Sequence, residues 1–143
     1  MKADDLQQAV YTRLNNSAVT SLLSTAYSPL VAIFTDVPQS ADGEAEANFP
    51  YITIGADTIT PFDDKDQTGG NALVQIDIWA RATSMLGIKT IADAVDARLR
   101  RQPLSISGAT HITTELESST PSRDPDGKTK RVLSLYRVIY INT

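Results

Sequence analysis

NALVQIDIWARA, residues 71 to 82, sets Val74, Ile76 and Ile78 on one side of an extended chain and Gln75, Asp77 and Trp79 on the other. That period of two predicts a strand with one face on a core. Some twenty residues upstream, FPYITIG repeats the pattern, Ile52 and Ile54 alternating with Tyr51 and Thr53. A third stretch, THITTELE at 110–117, and a last one, RVLSLYRVIYIN at 131–142, also read as strands, and LVAIF at 30–34 as a short first one. The DDKDQTGG run at 63–70, the SSTPSRDPDGKTK run at 118–130 and the small and acidic residues of 38–48 read as polar connections.

Helical spacing appears twice with conviction. Leu6, Val10 and Leu14 recur every four residues around Ala9, which predicts a one-faced helix over 4–15 with Asp4 and Asp5 at its positive end. A second short helical turn fits 17–24. Ile88, Ile91, Ala92, Val95 and Leu99 mark the longest amphipathic helix. Thr83 or Ser84 is placed to cap its start, and Arg98, Arg100 and Arg101 stand in its last turn. The order α, β, β, β, α, β, β predicts an α+β fold: an antiparallel or mixed sheet of about four to five strands with helices packed on one face.

The final strand raises a separate question. Leu133, Leu135, Ile139 and Ile141 point one way and Val132, Tyr136, Val138 and Tyr140 the other, so both faces are apolar. Either the strand is central and covered twice, or a partner covers one side.

The 143 residues are the size of one domain, 1–143, and 41% apolar composition is ordinary for a chain with its own core. Thirteen basic against seventeen acidic residues leave a net charge of −4, the wrong sign for affinity built on nucleic-acid phosphates. The absence of cysteine excludes disulfides and thiolate metal sites and fits a reducing compartment. MKADDLQQAV lacks the apolar segment of a signal peptide, and no apolar run reaches the roughly 18 residues of a membrane span. A soluble cytoplasmic protein is the expectation.

Motifs for chemistry are weak. His111 is the only histidine and stands in a Thr-rich strand without an acidic residue at a useful spacing, so it reads as structural. Asp64, Asp66, Thr68 and Gly69 resemble both an aspartyl-phosphate motif and a calcium loop. The twelfth position counted from Asp64 is Gln75, not the glutamate a calcium loop needs, and no buried parallel strand precedes the motif. Gly69-Gly70 is followed by a strand rather than a helix and makes a poor phosphate cradle. Asp124, Pro125, Asp126 and Gly127 signal a turn, made locally basic by Arg123, Lys128, Lys130 and Arg131. A small metal-dependent enzyme using Asp64 and Asp66, or a monomeric ligand-binding α+β domain, are the alternatives these residues leave open.

Taken in order, VAIFTDVPQS, FPYITIG, an acidic glycine-containing loop, VQIDIWARA, the helix IKTIADAVDARL and a final strand after a long hairpin resemble the tail-completion or tail-terminator family of long-tailed bacteriophages, across nearly the whole chain. Phe49, Pro50 and Tyr51, Val74 through Arg81, and Val95 with Leu99 carry most of the likeness. The resemblance implies a virion assembly protein without an active site, metal or cofactor. Such a protein forms a ring, usually of about six copies, that caps the tail tube and joins it to the head. Its implied partners are its own copies, the tail tube protein and a head-connector protein. DNA passes through without specific binding, and the implied location is the host cytoplasm during assembly and then the virion.

A ring also needs two different contact patches on each subunit. Trp79, Tyr136, Val138 and Tyr140 are the expected interface residues, and Asp63, Asp64 and Asp66, the densest acidic cluster, are the expected lumen-facing ones.

Overall fold

The computed structural model describes residues 2–35, 48–81, 86–125 and 127–143. Helix α1 spans Asp5–Leu14 and the short α2 Ser17–Thr20. Strand β1, Ile33–Phe34, precedes the long strands β2, Tyr51–Asp63, and β3, Thr68–Arg81. Helix α3, Leu86–Leu99, leads to β4, Ala109–Arg123, and β5, Thr129–Asn142. The expected connection at 38–48 lies, apart from residue 48, outside the described residues, as do the expected caps Thr83 and Ser84 and the turn residue Asp126.

The five strands form one mixed sheet in the order β1-β2-β3-β5-β4. Only β1 with β2 is parallel; the other pairs are antiparallel. This is the α+β class that the alternation of elements predicts. Helices cover one face, as their apolar stripes require: Leu6, Ala9, Val10 and Leu14 of α1 and Ile88, Ile91, Val95 and Leu99 of α3 are all buried. Beneath them β3 contributes Ala72, Val74, Ile76, Ile78 and Ala80, and β5 contributes Val132, Tyr136, Val138 and Tyr140. Each of the larger aliphatic side chains buried this way contributes about 1.5–3 kcal/mol. The Tyr136 hydroxyl, at the centre of this layer, donates to Asp96 Oδ1 at 3.1 Å and ties α3 to β5. Burial first, and then the Asp96 charge, push its ionisation upward.

The hairpins are longer than their sequence indicates. Residues expected as loops, 63–70 and 118–130, extend the strands: β2 and β3 are joined through a turn at 64–67, and β4 and β5 through one at 124–128. In the turns, Asp64 N–H donates to Gln67 O, and Asp124 N–H to Thr129 O. The outer halves, 57–63 of β2 and 117–123 of β4, are largely solvent-exposed. No apolar alternation marks them, because they hold their place through ladder hydrogen bonds and not through a buried face. Both also tolerate a proline, Pro61 and Pro121, since the far side of each strand has no described neighbour.

Gly69 and Gly70 belong to β3, not to a loop. The Tyr140 ring lies over Gly70, and the Phe62 ring over Gly69 would stand 2.8 Å from a side chain built there. Gly70 makes room for the tyrosine ring, and Gly69 for the Tyr140 backbone carbonyl, which a side chain there would meet at 2.7 Å, as well as for the Phe62 ring.

Candidate assembly surface

With helices on one face, the other face of the sheet has no described layer over it. Its registers can be read across the strands. Trp79 faces Arg131, Asp77 faces Leu133, Gln75 faces Leu135, Leu73 faces Arg137, Asn71 faces Ile139 and Gly69 faces Ile141. Tyr51 and Thr53 of β2 extend the first two rows, and Phe62 extends the last. The aliphatic side chains along this face are half-buried, and Phe62 is 45% exposed.

Polar side chains on the same face are locked together. Arg131 reaches Asp77 Oδ1 through Nε at 3.1 Å and Nη2 at 2.9 Å, and Gln75 Nε2 donates to the other carboxylate oxygen at 2.8 Å. Asp77 is only 5% exposed although no described element covers its side of the sheet. The Arg131 guanidinium lies 4.9 Å from the Trp79 ring centre, and the indole N–H donates to Thr53 Oγ1 at 3.2 Å. Tyr51 stacks on Trp79 and Phe49 tilts against Tyr51, with Arg81 over Phe49 at 4.9 Å. Further along, Arg137 holds Glu117 with two hydrogen bonds of 3.0 Å and Asn71 with one of 2.9 Å. Those bonds and the Arg137 charge draw the Glu117 carboxyl below its ordinary value. The surface is a preset pattern: an aromatic corner, an aliphatic stripe from Leu133 and Leu135 to Ile139 and Ile141, and clamped charges between. Fixed side chains lose little entropy when a partner covers them.

The expected interface residues divide between the two faces. Trp79 lies on the open face. Tyr136, Val138 and Tyr140 are 2%, 1% and 3% exposed, under the helices of their own subunit. They are corrected from contact residues to core residues, because α1 and α3 need an apolar floor and β5 offers its even-numbered side. The side of β5 open to a partner is the odd-numbered one. Asp63, Asp64 and Asp66 stand at the exposed β2–β3 tip, where Asp64 Oδ1 accepts the Lys65 N–H. Among the described residues no three His, Cys, Asp or Glu side chains gather as metal ligands. His111 accepts the Leu104 N–H at Nδ1 and pairs with Thr114 Oγ1 through Nε2 at 2.7 Å, so both ring nitrogens are used in packing. At the basic turn, Lys130 is buried and Arg131 is bound to Asp77, so fewer cations reach solvent than the sequence count implies.

Sequence reading missed Asp77 and Arg137 as members of this surface. Asp77 sits on the polar side of the NALVQIDIWARA alternation, but its partner is fifty-four residues away, a pairing visible only in the register.

Comparison with known proteins completes the description. The family described as "Tail completion protein gp17" matches residues 8–141. The tail completion protein gp17 of Bacillus phage SPP1 is 29% identical over 105 residues, 73% of this chain and 76% of that protein. Among solved structures, a chain in the virion of a native gene transfer agent particle superposes with a TM-score of 0.82 at 20% identity, over 98% of this chain and 97% of that one. At that identity the likeness is one of fold.

Proposed function

The chain belongs to the tail completion protein gp17 family, and from that premise we propose that it is a structural subunit of a phage tail that closes into a ring of about six copies, caps the tail tube and joins it to the head. Its partners are then its own copies, the tail tube protein and a head-connector protein, and its final place is the virion.

The observation that carries this reading is the open sheet face. Leu73, Leu133, Leu135, Ile139 and Ile141 line one continuous surface that no described element of the subunit covers. These side chains are half-buried and interspersed with the clamped Asp77–Arg131 and Arg137–Glu117 pairs, and the apolar area they leave in water favours a partner that covers it. Edge-to-edge pairing is a poorer route. Pro61 and Pro121 remove a backbone donor from each outer strand half, and register shifts interrupt β4 between His111 and Thr113 and between Leu116 and Ser118. Contact through the face and not the edges fits a subunit that must associate without open-ended growth.

The net charge of −4 supports the remaining part of the reading, a channel that lets DNA pass. Phosphates are not retained by a surface without an excess of cations.

Light scattering with electron microscopy, on the protein alone and mixed with its tail tubes, tests the proposal. A closed ring in either setting is the expected result; a strict monomer in both would refute it.

A further inference from the structure

On the helical side of the subunit, α1 and α3 meet at their C-terminal ends through a reciprocal pair of arginines. Arg13 Nε donates to Arg98 O at 2.7 Å, and Arg98 Nε donates to Arg13 O at 3.1 Å. Arg13 Nη2 also donates to Gln102 Oε1 at 3.2 Å. Each guanidinium thus fills a last-turn carbonyl of the other helix, which lacks an intrahelical donor. The arrangement fixes the two cations side by side, and both Nη groups of Arg98 are left without a hydrogen bond among the described residues.

No carboxylate among the described residues forms an ion pair with either arginine. The Arg13 guanidinium is drawn below its ordinary value by burial and by the Arg98 charge. Both line an open cleft of about 410 Å³ with Gln8, Thr12, Ser105 and Ser107. Asp5 is the one acidic residue on the wall among the described residues. It lies about 12 Å along α1 from Arg13, and its carboxylate accepts the Lys2 N–H. Two fixed like charges with spare donors, edged by hydroxyls, make a receptor for an oxyanion.

We propose that this cleft takes carboxylates from the β2–β3 tip of a second copy, Asp63, Asp64 and Asp66. In its own subunit that tip is exposed, and none of the three forms an ion pair among the described residues. The tip stands at one end of a long hairpin on the sheet, whereas the cleft lies in the helical layer. The two patches are different and charge-complementary, as a head-to-tail contact requires. DNA phosphate is the poorer ligand, since a pair of cations in a concave cleft does not follow a backbone and the chain carries a net −4. The inference rests on the ring reading, and it moves the acidic tip from the lumen to the subunit boundary.

The test follows the Nε–H signals of Arg13 and Arg98 by nuclear magnetic resonance in labelled protein as unlabelled copies are added, with light scattering in parallel. Wild-type copies should shift both signals. Copies carrying D63N, D64N and D66N should bind roughly tenfold more weakly, inorganic phosphate should compete, and Arg98→Lys, which keeps the charge but loses the fork, should weaken the shift of the remaining Arg13 signal. Signals unmoved up to the solubility limit overturn the docking; if scattering still shows association, the ring reading survives it. Equal binding by the neutralised tip, or a shift produced by duplex DNA and not by copies, overturns the choice of occupant. Monomers throughout, even with tail tubes present, refute the ring and the docking together.

Discussion

Tyr140 and Gly70 face each other across β3 and β5, and a methyl group at Gly70 would collide with the tyrosine ring and hydroxyl. Gly70→Ala should therefore cost about 1–3 kcal/mol by displacing a packed ring, read as a lower urea midpoint. Asp77 makes a different case. Its carboxylate is nearly buried and its charge is answered by Arg131, so Asp77→Leu leaves a guanidinium without its partner. A loss of roughly 1–3 kcal/mol is expected, with part of it recovered when Arg131→Met is added, a coupling that a double-mutant cycle measures. His111 brings pH dependence. Burial lowers its pKa from 6.5, opposed by a hydrogen bond at Thr113, so the unfolded chain takes up the proton first. The resulting stability is full above about pH 6.5 and is lost as pH falls through the lower folded value. Denaturation midpoints measured from pH 8 to 5 should show the decline, and His111→Asn should flatten it.

Among the elements, helices and central strands declared themselves through periodicity, and the outer hairpin halves did not. Ile88, Ile91, Val95 and Leu99 are the buried face of α3 that their spacing predicts. β4 instead runs on to Arg123 through Ser118, Ser119, Thr120, Pro121 and Ser122, a composition that reads as a loop because turn-forming and edge-strand residues overlap. What makes it a strand is pairing with β5, whose own apolar pattern is strong. The consequence is measurable by hydrogen exchange. Amides of 72–79 and 133–139, in the two central strands, should exchange slowest, and those of 57–63 and 117–123 faster, as stability falls toward exposed edges. Limited proteolysis should cut first at the turns 64–67 and 124–128. Cleavage within 85–100 before either turn would contradict this ranking.

For the molecule as a whole, the open sheet face and the helix-covered face should respond oppositely to mutation. Leu135→Glu or Ile139→Glu places a charge on the half-buried face and should abolish ring formation while leaving the circular dichroism spectrum and the melting point near wild type. Val138→Glu, one residue away on the other side, should prevent folding, because an unpaired carboxylate in the core costs several kcal/mol. Analytical ultracentrifugation separates the two outcomes. The assembled protein should also show no gel-shift of duplex DNA at physiological salt; tight, salt-sensitive binding would contradict the channel reading.

By itself the sequence determined the α+β class, the helix faces, the strands around Val74–Ile78 and Val132–Tyr140, and, through the order of short motifs, the family. These follow from local period and composition, which are written along the chain. Which face of β5 is core and which is surface was decided by tertiary structure alone, since both are apolar and only the position of α1 and α3 distinguishes them. The same holds for the Asp77–Arg131 pair, for the glycines beneath Phe62 and Tyr140, and for the arginines that join two helix ends. Each depends on residues distant in sequence meeting through strand register or helix packing, and no local pattern encodes such a meeting.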